Sequence, residues 1–369
     1  MSEMTTYVGI DAHTRELHLA MLIGDAEQPI SWTCPTDARA LERLRRKLER
    51  EAPGAIECCY EAGPSGYTLQ RRLTGGRLRC RVIAPSLVPR QPGDRVKTDR
   101  RDARKLAQWL RAGLLTEVPP PTLADEAVRD LCRAREDARS DLMRSRHRLG
   151  KLLLRRGLIV PGRNWTAAHG AWLQQLEWPH PAERHVVGDD PLAIAHLEAR
   201  LTEIDRLLTP IAGTPPYARG VAALRCFRGI ETVSAMIVLA ELHDFSRFAH
   251  PRTLMAFVGL VPSEDSTGDR RRRGAITKMG NSLVRRVLVE AAWHYRHDPR
   301  IGVPLRRRRA GQAPAVIAIA EKAEQRRCRR YRRLTARLKP KPMVVIAIAR
   351  ELTGFLWAAL QVPEARRMS

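Results

Sequence analysis

The pattern of hydrophobic and polar positions changes twice along the chain, and each part predicts a different class of structure. Up to about residue 112, short β-rich apolar runs alternate with stretches of helical periodicity, which predicts an α/β domain with a mixed sheet. The predicted strands are Thr6–Ile10, Leu17–Ile23, Ala55–Tyr60 and Arg79–Ala84, and the predicted helices are Ala38–Arg50, Pro64–Leu73 and Asp99–Arg111. The proline-rich stretch Val118–Pro121 then reads as a linker.

The middle of the chain advances in alternating steps of three and four, which is the spacing of a coiled-coil seam. The first seam consists of Val128, Leu131, Arg135, Ala138, Leu142, Ser145, Leu149 and Leu152. The second consists of Ile194, Leu197, Leu201, Ile204, Leu208 and Ile211. We therefore predict a coiled-coil helical hairpin, whose seam either joins two chains or packs two helices of one chain.

The last part of the chain is predicted to be all-α, with interspersed loops. It opens with a helix-hairpin-helix element in Leu224–Ala235, centred on Gly229 and followed by Ile230. Such a turn can present backbone N–H groups to a phosphate, although glycine turns between packed helices are also common. The predicted domains are residues 1–121, 122–213 and 214–369.

Composition then narrows the class of protein. The 369 residues include 65 Lys plus Arg against 40 Asp plus Glu, a net charge of +25, and 44% apolar residues, which excludes a disordered chain. Residues 214–369 hold 31 basic and 12 acidic side chains, so +19 of the excess lies there. The basic runs Arg270–Arg273, Arg306–Arg309 and Arg326–Lys341 favour binding to nucleic-acid phosphates over a merely solvated face.

Cysteine spacing argues against a zinc-binding protein, and hydropathy argues against a membrane-spanning protein. The seven cysteines show no zinc-binding spacing, which predicts reduced thiols. The longest apolar runs, Val233–Leu239 and Met343–Ala349, are shorter than the roughly 18 residues of a membrane span and are predicted to be buried helix segments. With no signal-peptide pattern at the N-terminus, we expect a cytoplasmic protein with no membrane partner.

Four acidic residues stand at the ends of predicted elements. Asp11 and Glu61 end strands, where α/β sheets place their sites, and Asp99 and Asp102 share one helix face. Oxygen ligands of this kind suit Mg²⁺. For Asp99 the alternative is a helix N-cap, with Asp102 adding favourable charge to the first turn.

The order of these motifs resembles the DEDD insertion-sequence transposases. Gly9-Ile10-Asp11, Tyr60-Glu61-Ala62-Gly63 and the segment 97–103 match the family's N-terminal domain, which implies a ribonuclease H-like (RuvC-like) fold. The matching C-terminal motifs are Phe257–Pro262, Ser266–Gly268, Gly274–Asn281 and Leu283–Arg286. The resemblance extends from about Val8 to Leu360.

The resemblance implies a DNA transposase guided by a structured noncoding RNA, the bridge RNA, which pairs with donor and target DNA. It also implies that Asp11, Glu61, Asp99 and Asp102 hold Mg²⁺, and that Ser266 attacks DNA to form a phosphoserine intermediate. Ser266 is chosen because the family's serine stands two residues before Gly268, and Ser263 and Thr267 are its neighbours. In Asp269 the sequence departs from the family, which often carries a second glycine there.

The remaining expectations concern partners. The residues predicted to contact nucleic acid are Gly229, Ile230, Arg270, Arg271, Arg272, Arg273, Lys278, Arg285 and Arg286. We expect a nucleoid-associated homodimer that assembles into a tetramer. The family precedent is an active site shared between subunits, and the sequence leaves open whether its two halves meet within one chain. With 5% aromatic residues and no base-reading module, the chain suits backbone binding, with sequence read by RNA pairing. The alternatives are a metal-dependent junction nuclease that uses water and an inactive architectural nucleic-acid-binding protein.

Overall fold

The computed structural model describes residues 4–89, 98–267 and 270–366 of the chain. These residues form two compact units, the first ending at Pro121 and the second beginning at Thr122. The side chains of Ser266, Thr267, Arg270, Arg271 and Arg273 lie outside the description, as do Gly268 and Asp269 altogether.

Unit 1 is an α/β fold around one five-stranded sheet. Its elements are β1 (Thr5–Ala12), β2 (Glu16–Ile23), β3 (Ile30–Pro35), α1 (Ala38–Glu51), β4 (Ala55–Glu61), α2 (Thr68–Leu73), β5 (Leu78–Ile83) and α3 (Asp99–Arg111). The strand order is β3-β2-β1-β4-β5. The pairs β1/β2 and β2/β3 are antiparallel, whereas β1/β4 and β4/β5 are parallel, so the predicted mixed sheet is confirmed.

Two elements of unit 1 differ from the sequence prediction. The strand β3 was not predicted, although Ile30, Trp32 and Cys34 alternate with Ser31 and Thr33. It pairs at the edge with β2, where Trp32 lies opposite Leu19. The helix predicted from Pro64 begins only at Thr68. Gly66 has φ +58°, a left-handed conformation that an α-helix does not contain.

The sheet of unit 1 is covered on both faces. The apolar stripe of α1, which includes Leu41, Leu44 and Leu48, packs with α2 on one face. The helix α3 covers the other face through Ala103, Ala107 and neighbouring apolar residues. The position of α3 matters most here, because it carries two of the four predicted acids.

Unit 2 is mostly helical. Its elements are α4 (Leu123–Arg155), α5 (Ala167–Gln174), α6 (Pro181–Ala212), α7 (Ala218–Arg225), α8 (Thr232–Leu242), α9 (Pro251–Phe257), β6 (Pro262–Thr267), β7 (Arg270–Ile276), α10 (Ser282–Trp293), α11 (Val303–Arg309), α12 (Pro314–Ala336) and α13 (Lys341–Gln361).

The predicted helical hairpin is formed by α4 and α6, which pack against each other within one chain. Leu142, Leu149 and Ile194 are buried in this seam. The charged seam position Arg135 donates through Nη2 to Asp205 Oδ2 at 3.0 Å, which explains how an arginine is tolerated there. Residues of the hairpin and of the following helices share one hydrophobic core, so a domain boundary at residue 213 stays a prediction.

The segment around Ser266 is a β-hairpin rather than part of a helix. The strands β6 and β7 pair antiparallel with an irregularity near Pro262, and Ser266 lies opposite Arg271. A mostly helical region with interspersed loops was predicted and is observed, but these two strands were not predicted. The segment consists mostly of polar and charged residues, so a helix formed by it would have no apolar face to pack against the core.

The two longest apolar runs lie in α8 and α13. Among the described residues, α13 is the one helix long and apolar enough to cross a membrane by length and composition. Half of its apolar window is buried, however, and Val344, Ile348 and Leu352 belong to the core of unit 2. The sequence analysis underestimated the length of this apolar stretch, but it correctly predicted a buried helix.

Candidate metal and nucleic-acid site

The acidic site is positioned by the close approach of α3 to β1. A Cβ atom added to Gly9 would lie 2.1 Å from the carbonyl oxygen of Ala103 and 2.4 Å from the nitrogen of Ala107, so only glycine permits this contact. Asp11 follows Gly9 by two residues on the same face of β1, and Asp99 precedes Ala103 by one helical turn. The contact between Gly9 and α3 therefore brings Asp99 over Asp11.

Two of the four predicted acids meet a histidine at this point. Asp11, His13 and Asp99 each offer one ligand atom, and these atoms lie within 4.8 Å of one another. The Nε2 atom of His13 is 3.3 Å from Asp11 Oδ2 and 3.4 Å from Asp99 Oδ2. Carboxylate and imidazole groups in such proximity form a donor set that fits a divalent cation.

The sequence analysis missed both histidines of this site. His18 Nε2 lies 3.5 Å from Asp99 Oδ2, and the rings of His13 and His18 approach edge to face. The register of β1 with β2 places His18 directly opposite Asp11. In the sequence, Asp11 and His18 lie on the two strands that flank the predicted turn, and His13 lies within it. The pairing register of the two strands was needed to show that these three side chains come together.

Glu61 and Asp102 lie near this cluster in the fold but outside the group of atoms within 4.8 Å. Glu61 is the last residue of β4, and its neighbour Tyr60 pairs with Ile10 of β1, so Glu61 and Asp11 stand at the ends of adjacent parallel strands. Asp102 is in the first turn of α3. The structure thus brings Asp11 and Asp99 together and places Glu61 and Asp102 at the same sheet edge and helix terminus.

The alternative role of Asp99 as an N-cap is wrong. Thr98 is the N-cap residue of α3, and Asp99 is the first residue of the helix. The side chain of Asp99 faces His13 and His18, so the helix terminus alone does not explain its position.

Behind the acidic cluster the sheet is apolar. Burial raises the pKa of the Cys58 thiol to about 12, and burial also raises the pKa of Cys59, whose Sγ donates to the Leu106 carbonyl of α3 at 3.7 Å. All seven cysteines are buried and unbridged, as predicted. They are packing residues and offer no thiolate to a metal or a substrate.

One neighbour of Ser266 has a structural role. The hydroxyl of Ser263 donates to the carbonyl oxygen of Ala275 at 3.2 Å, across the β-hairpin. A Cβ atom on Gly274 would lie 2.5 Å from this hydroxyl oxygen, so Ser263 is held against the opposite strand. Ser263 therefore has a partner across the β-hairpin, and the choice of Ser266 as the nucleophile stays a prediction.

Several residues predicted to contact nucleic acid are committed to packing within unit 2. Ile230 is buried, and its amide donates to the Phe227 carbonyl at 3.3 Å. A Cβ atom on Gly229, whose φ is +79°, would lie 2.7 Å from the carbonyl oxygen of Ala291. The glycine is thus required for contact with α10, and this geometry gives the proposed phosphate contact no support.

The two arginines of α10 also have internal partners. Arg285 Nη1 donates to the carbonyl oxygens of Val258 and Met279 at 3.0 and 3.1 Å. Arg286 pairs with Glu136 of α4 and, at 2.6 Å, with Glu290. By contrast, Lys278 and Arg272 are exposed, and their contact with nucleic acid stays a prediction.

The basic runs divide into inward and outward arginines. In Arg306–Arg309, Arg308 pairs with Glu231, and buried Arg309 donates to Glu324 at 3.3 Å, so half of this run holds α11 in place. Along α12, Lys322, Arg326, Arg329, Arg333 and Arg337 follow each other at steps of four, three, four and four. We call these five residues the α12 stripe; all are exposed, and Arg326 alone of the five has an acidic partner, Glu351, within the described chain.

The α12 stripe has the dimensions of a phosphate-binding surface. At about 1.5 Å per residue it is about 22 Å long. One strand of a duplex presents a phosphate about every 3.4 Å along its axis, so the length of the stripe equals the span of roughly six phosphates. The sequence analysis identified the charge but not which arginines face outward.

Comparison with known proteins relates both units to transposases. Residues 221–302 match the family described as "Transposase IS116/IS110/IS902 family", and residues 8–156 match a second family described as "Transposase". A putative transposase of Sinorhizobium fredii, y4qE, is 43% identical over 330 residues, which cover 89% of this chain and 80% of the relative. The transposase for insertion sequence element IS1533 of Leptospira borgpetersenii is 33% identical over 338 residues, covering 90% and 97%.

Proposed function

Because the chain belongs to the IS116/IS110/IS902 family of insertion-sequence transposases, we propose that it cuts and rejoins donor and target DNA through a serine nucleophile assisted by a divalent cation. The meeting of Asp11 and Asp99 at one sheet edge, with His13 between them, carries this proposal. The strand order β3-β2-β1-β4-β5, with two antiparallel pairs followed by two parallel pairs, supports a ribonuclease H-like fold for unit 1.

The cation is Mg²⁺ in this proposal, following the family. Asp11 and Asp99 would hold it, and Glu61, at the end of the adjacent strand β4, and Asp102, in the first turn of α3, would complete the site. A bound divalent ion would neutralise charge on the phosphate under attack. Without the ion, the negative charges of the carboxylates would repel a DNA phosphate.

Ser266 supplies the nucleophile. Its Oγ forms a bond to the phosphorus atom and gives up its proton, while the bond between phosphorus and the leaving DNA oxygen breaks and that oxygen takes a proton. The phosphoserine ester retains the bond energy, so a second DNA hydroxyl can reverse the reaction and reseal the strand without ATP. In this proposal the exposed cations Arg272, on the β-hairpin, and Lys278, just after it, offset the growing negative charge.

In this proposal a bridge RNA recognises the donor and target DNA sequences by base pairing. The chain has a net charge of +25 and 5% aromatic residues, and its outward arginines on α12 suit backbones of either nucleic acid. Donor DNA, target DNA and RNA are the partners in this proposal. The protein would act at the nucleoid in the cytoplasm.

The proposed assembly is a homodimer that forms a tetramer on nucleic acid. The four acids belong to unit 1 and Ser266 belongs to unit 2, so the two halves of the chemistry lie on separate folding units. An active site composed from two subunits is consistent with this division. A chain that performs repeated recombination as a strict monomer would contradict the assembly.

The covalent intermediate tests the chemistry directly. A DNA substrate that traps the cleaved strand is incubated with the protein and Mg²⁺, and the products are separated under denaturing conditions. We expect a protein-linked strand with wild type and with the neighbouring variant Thr267→Ala, and none with Ser266→Ala or Asp99→Asn. Cleavage by Ser266→Ala without linkage would instead indicate the water-using nuclease, and binding without cleavage by the wild type would indicate an architectural protein.

The guide is tested by copurification. The protein is expressed together with its native flanking DNA, purified at moderate salt, and the bound RNA is sequenced. One discrete structured RNA encoded in the flank is the expected result, and its loops would identify donor and target sites. Bulk cellular RNA, or none, would contradict RNA guidance while leaving the serine chemistry intact.

A further inference from the structure

We propose that His13 is itself a ligand of the divalent ion, and that its Nε2 atom gives the site a preference for Mn²⁺ over Mg²⁺. This inference rests on the proposed function, which places the ion at Asp11 and Asp99. The sequence predicted a metal site built from oxygen ligands alone, whereas one of the three clustered donor atoms is a nitrogen.

The position of His13 Nε2 beside two carboxylates at once suits a shared ion. A charge-assisted N–H···O⁻ bond is about 2.7–2.9 Å long. His13 Nε2 is farther than this from both carboxylates, at 3.3 Å from Asp11 and 3.4 Å from Asp99. Two neighbouring ligands of an octahedral ion, with bonds of about 2.1 Å, are about 3.0 Å apart. One nitrogen nearly equidistant from two carboxylate oxygens therefore resembles one corner of a coordination shell.

His18 provides a matched comparison within the same site. Its Nε2 atom lies 3.5 Å from Asp99 Oδ2 and 3.7 Å from Glu16 Oε2. It stands outside the group whose atoms lie within 4.8 Å of one another. Its side chain is 23% exposed, against 52% for His13, so His13 is the more accessible of the two. We assign His18 as a positioning residue that fixes Asp99 and assign the nitrogen ligand to His13.

The chemistry of the donors determines the metal. Mg²⁺ strongly prefers oxygen ligands and keeps several waters, whereas imidazole suits first-row transition ions. Mn²⁺ combines both properties, because carboxylates and water suit it and it also accepts nitrogen. A site with two carboxylates and one imidazole is therefore predicted to bind Mn²⁺ more tightly, while Mg²⁺ remains usable at higher concentration.

The test measures the metal itself rather than turnover. Full-length protein without nucleic acid is titrated with Mn²⁺ and, separately, with Mg²⁺ by calorimetry, and bound Mn²⁺ is examined by pulsed electron paramagnetic resonance for coupling to nitrogen. We expect nitrogen coupling in wild type and in His18→Ala, and no coupling in His13→Ala. Mn²⁺ affinity should fall about tenfold or more in His13→Ala, while Mg²⁺ affinity falls by less than about threefold.

A conservative variant separates coordination from folding. His13→Asp restores an oxygen donor, so it should bind Mg²⁺ at least as tightly as wild type and show no nitrogen coupling. Nitrogen coupling that persists in His13→Ala, or an equal reduction of Mn²⁺ and Mg²⁺ affinity, would overturn the assignment of His13. Unchanged Mn²⁺ affinity in Asp99→Asn would instead remove the ion from this cluster, and with it the proposed function of the acids.

Discussion

The backbone of Ala103 lies so close to Gly9 that a single added carbon would be 2.1 Å from its carbonyl oxygen. This contact joins the first strand to a helix more than 90 residues later in the chain. It also sets the distance between Asp99 and Asp11. Asp11 lies two residues after Gly9 in β1, and Asp99 lies one helical turn before Ala103 in α3. Packing at Gly9 therefore helps to position the two carboxylates of the acidic site.

Substitution of Gly9 should disable the site without touching an acid. In Gly9→Ala, α3 must move away from β1, which costs about 1–3 kcal/mol of stability and separates Asp99 from Asp11. We expect Mn²⁺ affinity and strand cleavage to fall at least tenfold. The matched control is Gly63→Ala, whose added Cβ would meet only the carbonyl oxygen of Glu61 at 3.9 Å. Equal activity in the two variants would contradict the role of this contact.

The α12 stripe should contribute to the salt dependence of nucleic-acid binding. Removing one ionic interaction with a phosphate lowers the slope of log K against log salt by about 0.9 for duplex DNA. The triple variant Arg329→Gln, Arg333→Gln, Arg337→Gln is expected to lower this slope by close to three, uniformly across DNA sequences. Fluorescence anisotropy over a salt series measures it.

A second triple variant controls for total charge. Arg139, Arg144 and Arg206 lie on the helical hairpin, and each pairs with an acid three residues away, Glu136, Asp141 and Glu203 respectively. Their replacement by Gln removes the same three charges, yet the slope should change by less than about one. Equal changes for both triple variants would show that net charge, and not the α12 stripe, controls binding.

The buried carboxylate of Glu241 should matter more to stability than exposed ion pairs. Its side chain is 2% exposed and accepts from Arg133 Nε at 2.7 Å and from Asn281 Nδ2 at 2.7 Å, which links α8 to α4 and to the start of α10. In Glu241→Gln, the charge pairing is removed while the shape is kept, at a cost of about 1–3 kcal/mol. Urea unfolding monitored by circular dichroism measures this cost. Glu203→Gln, on an exposed pair of α6, should change stability by less than about 1 kcal/mol.

The buried cysteines predict how the protein responds to alkaline pH. Burial raises the pKa of Cys58 in unit 1 and of Cys132 in unit 2 to about 12. At pH 8 only roughly one such thiol in ten thousand is ionised, so iodoacetamide should label the native chain very slowly and all seven cysteines after denaturation. Rapid labelling of native protein would contradict the packing.

The same thiols link stability to pH with a definite sign. Their pKa is raised in the folded state, so the folded state holds protons that an unfolded thiol releases above about pH 8.5. Their contribution to stability is complete below that pH and declines as the pH rises toward 12. The unfolding free energy should therefore be lower at pH 10 than at pH 7.5, and Cys58→Ala should reduce the difference.

The sequence by itself determined the class of fold, the extents of most elements and the chemistry to look for. Short β-rich apolar runs predicted β1, β2, β4 and β5, and heptad spacing predicted α4 and α6. The helix α3 was predicted with its observed bounds, Asp99–Arg111. These features are local, because a few residues of one element suffice to set its periodicity. The order of acidic motifs likewise identified the family before any packing was known.

Only the tertiary structure decided which side chains meet. His13 and His18 became part of the site through strand register and the approach of α3, neither of which can be read from one element alone. The division of arginines into inward and outward groups depends on partners on other elements, such as Glu324 for Arg309. The strands β6 and β7 were missed because their residues are mostly polar or charged, so that hydrogen bonds between the two strands, and not a hydrophobic pattern, define them.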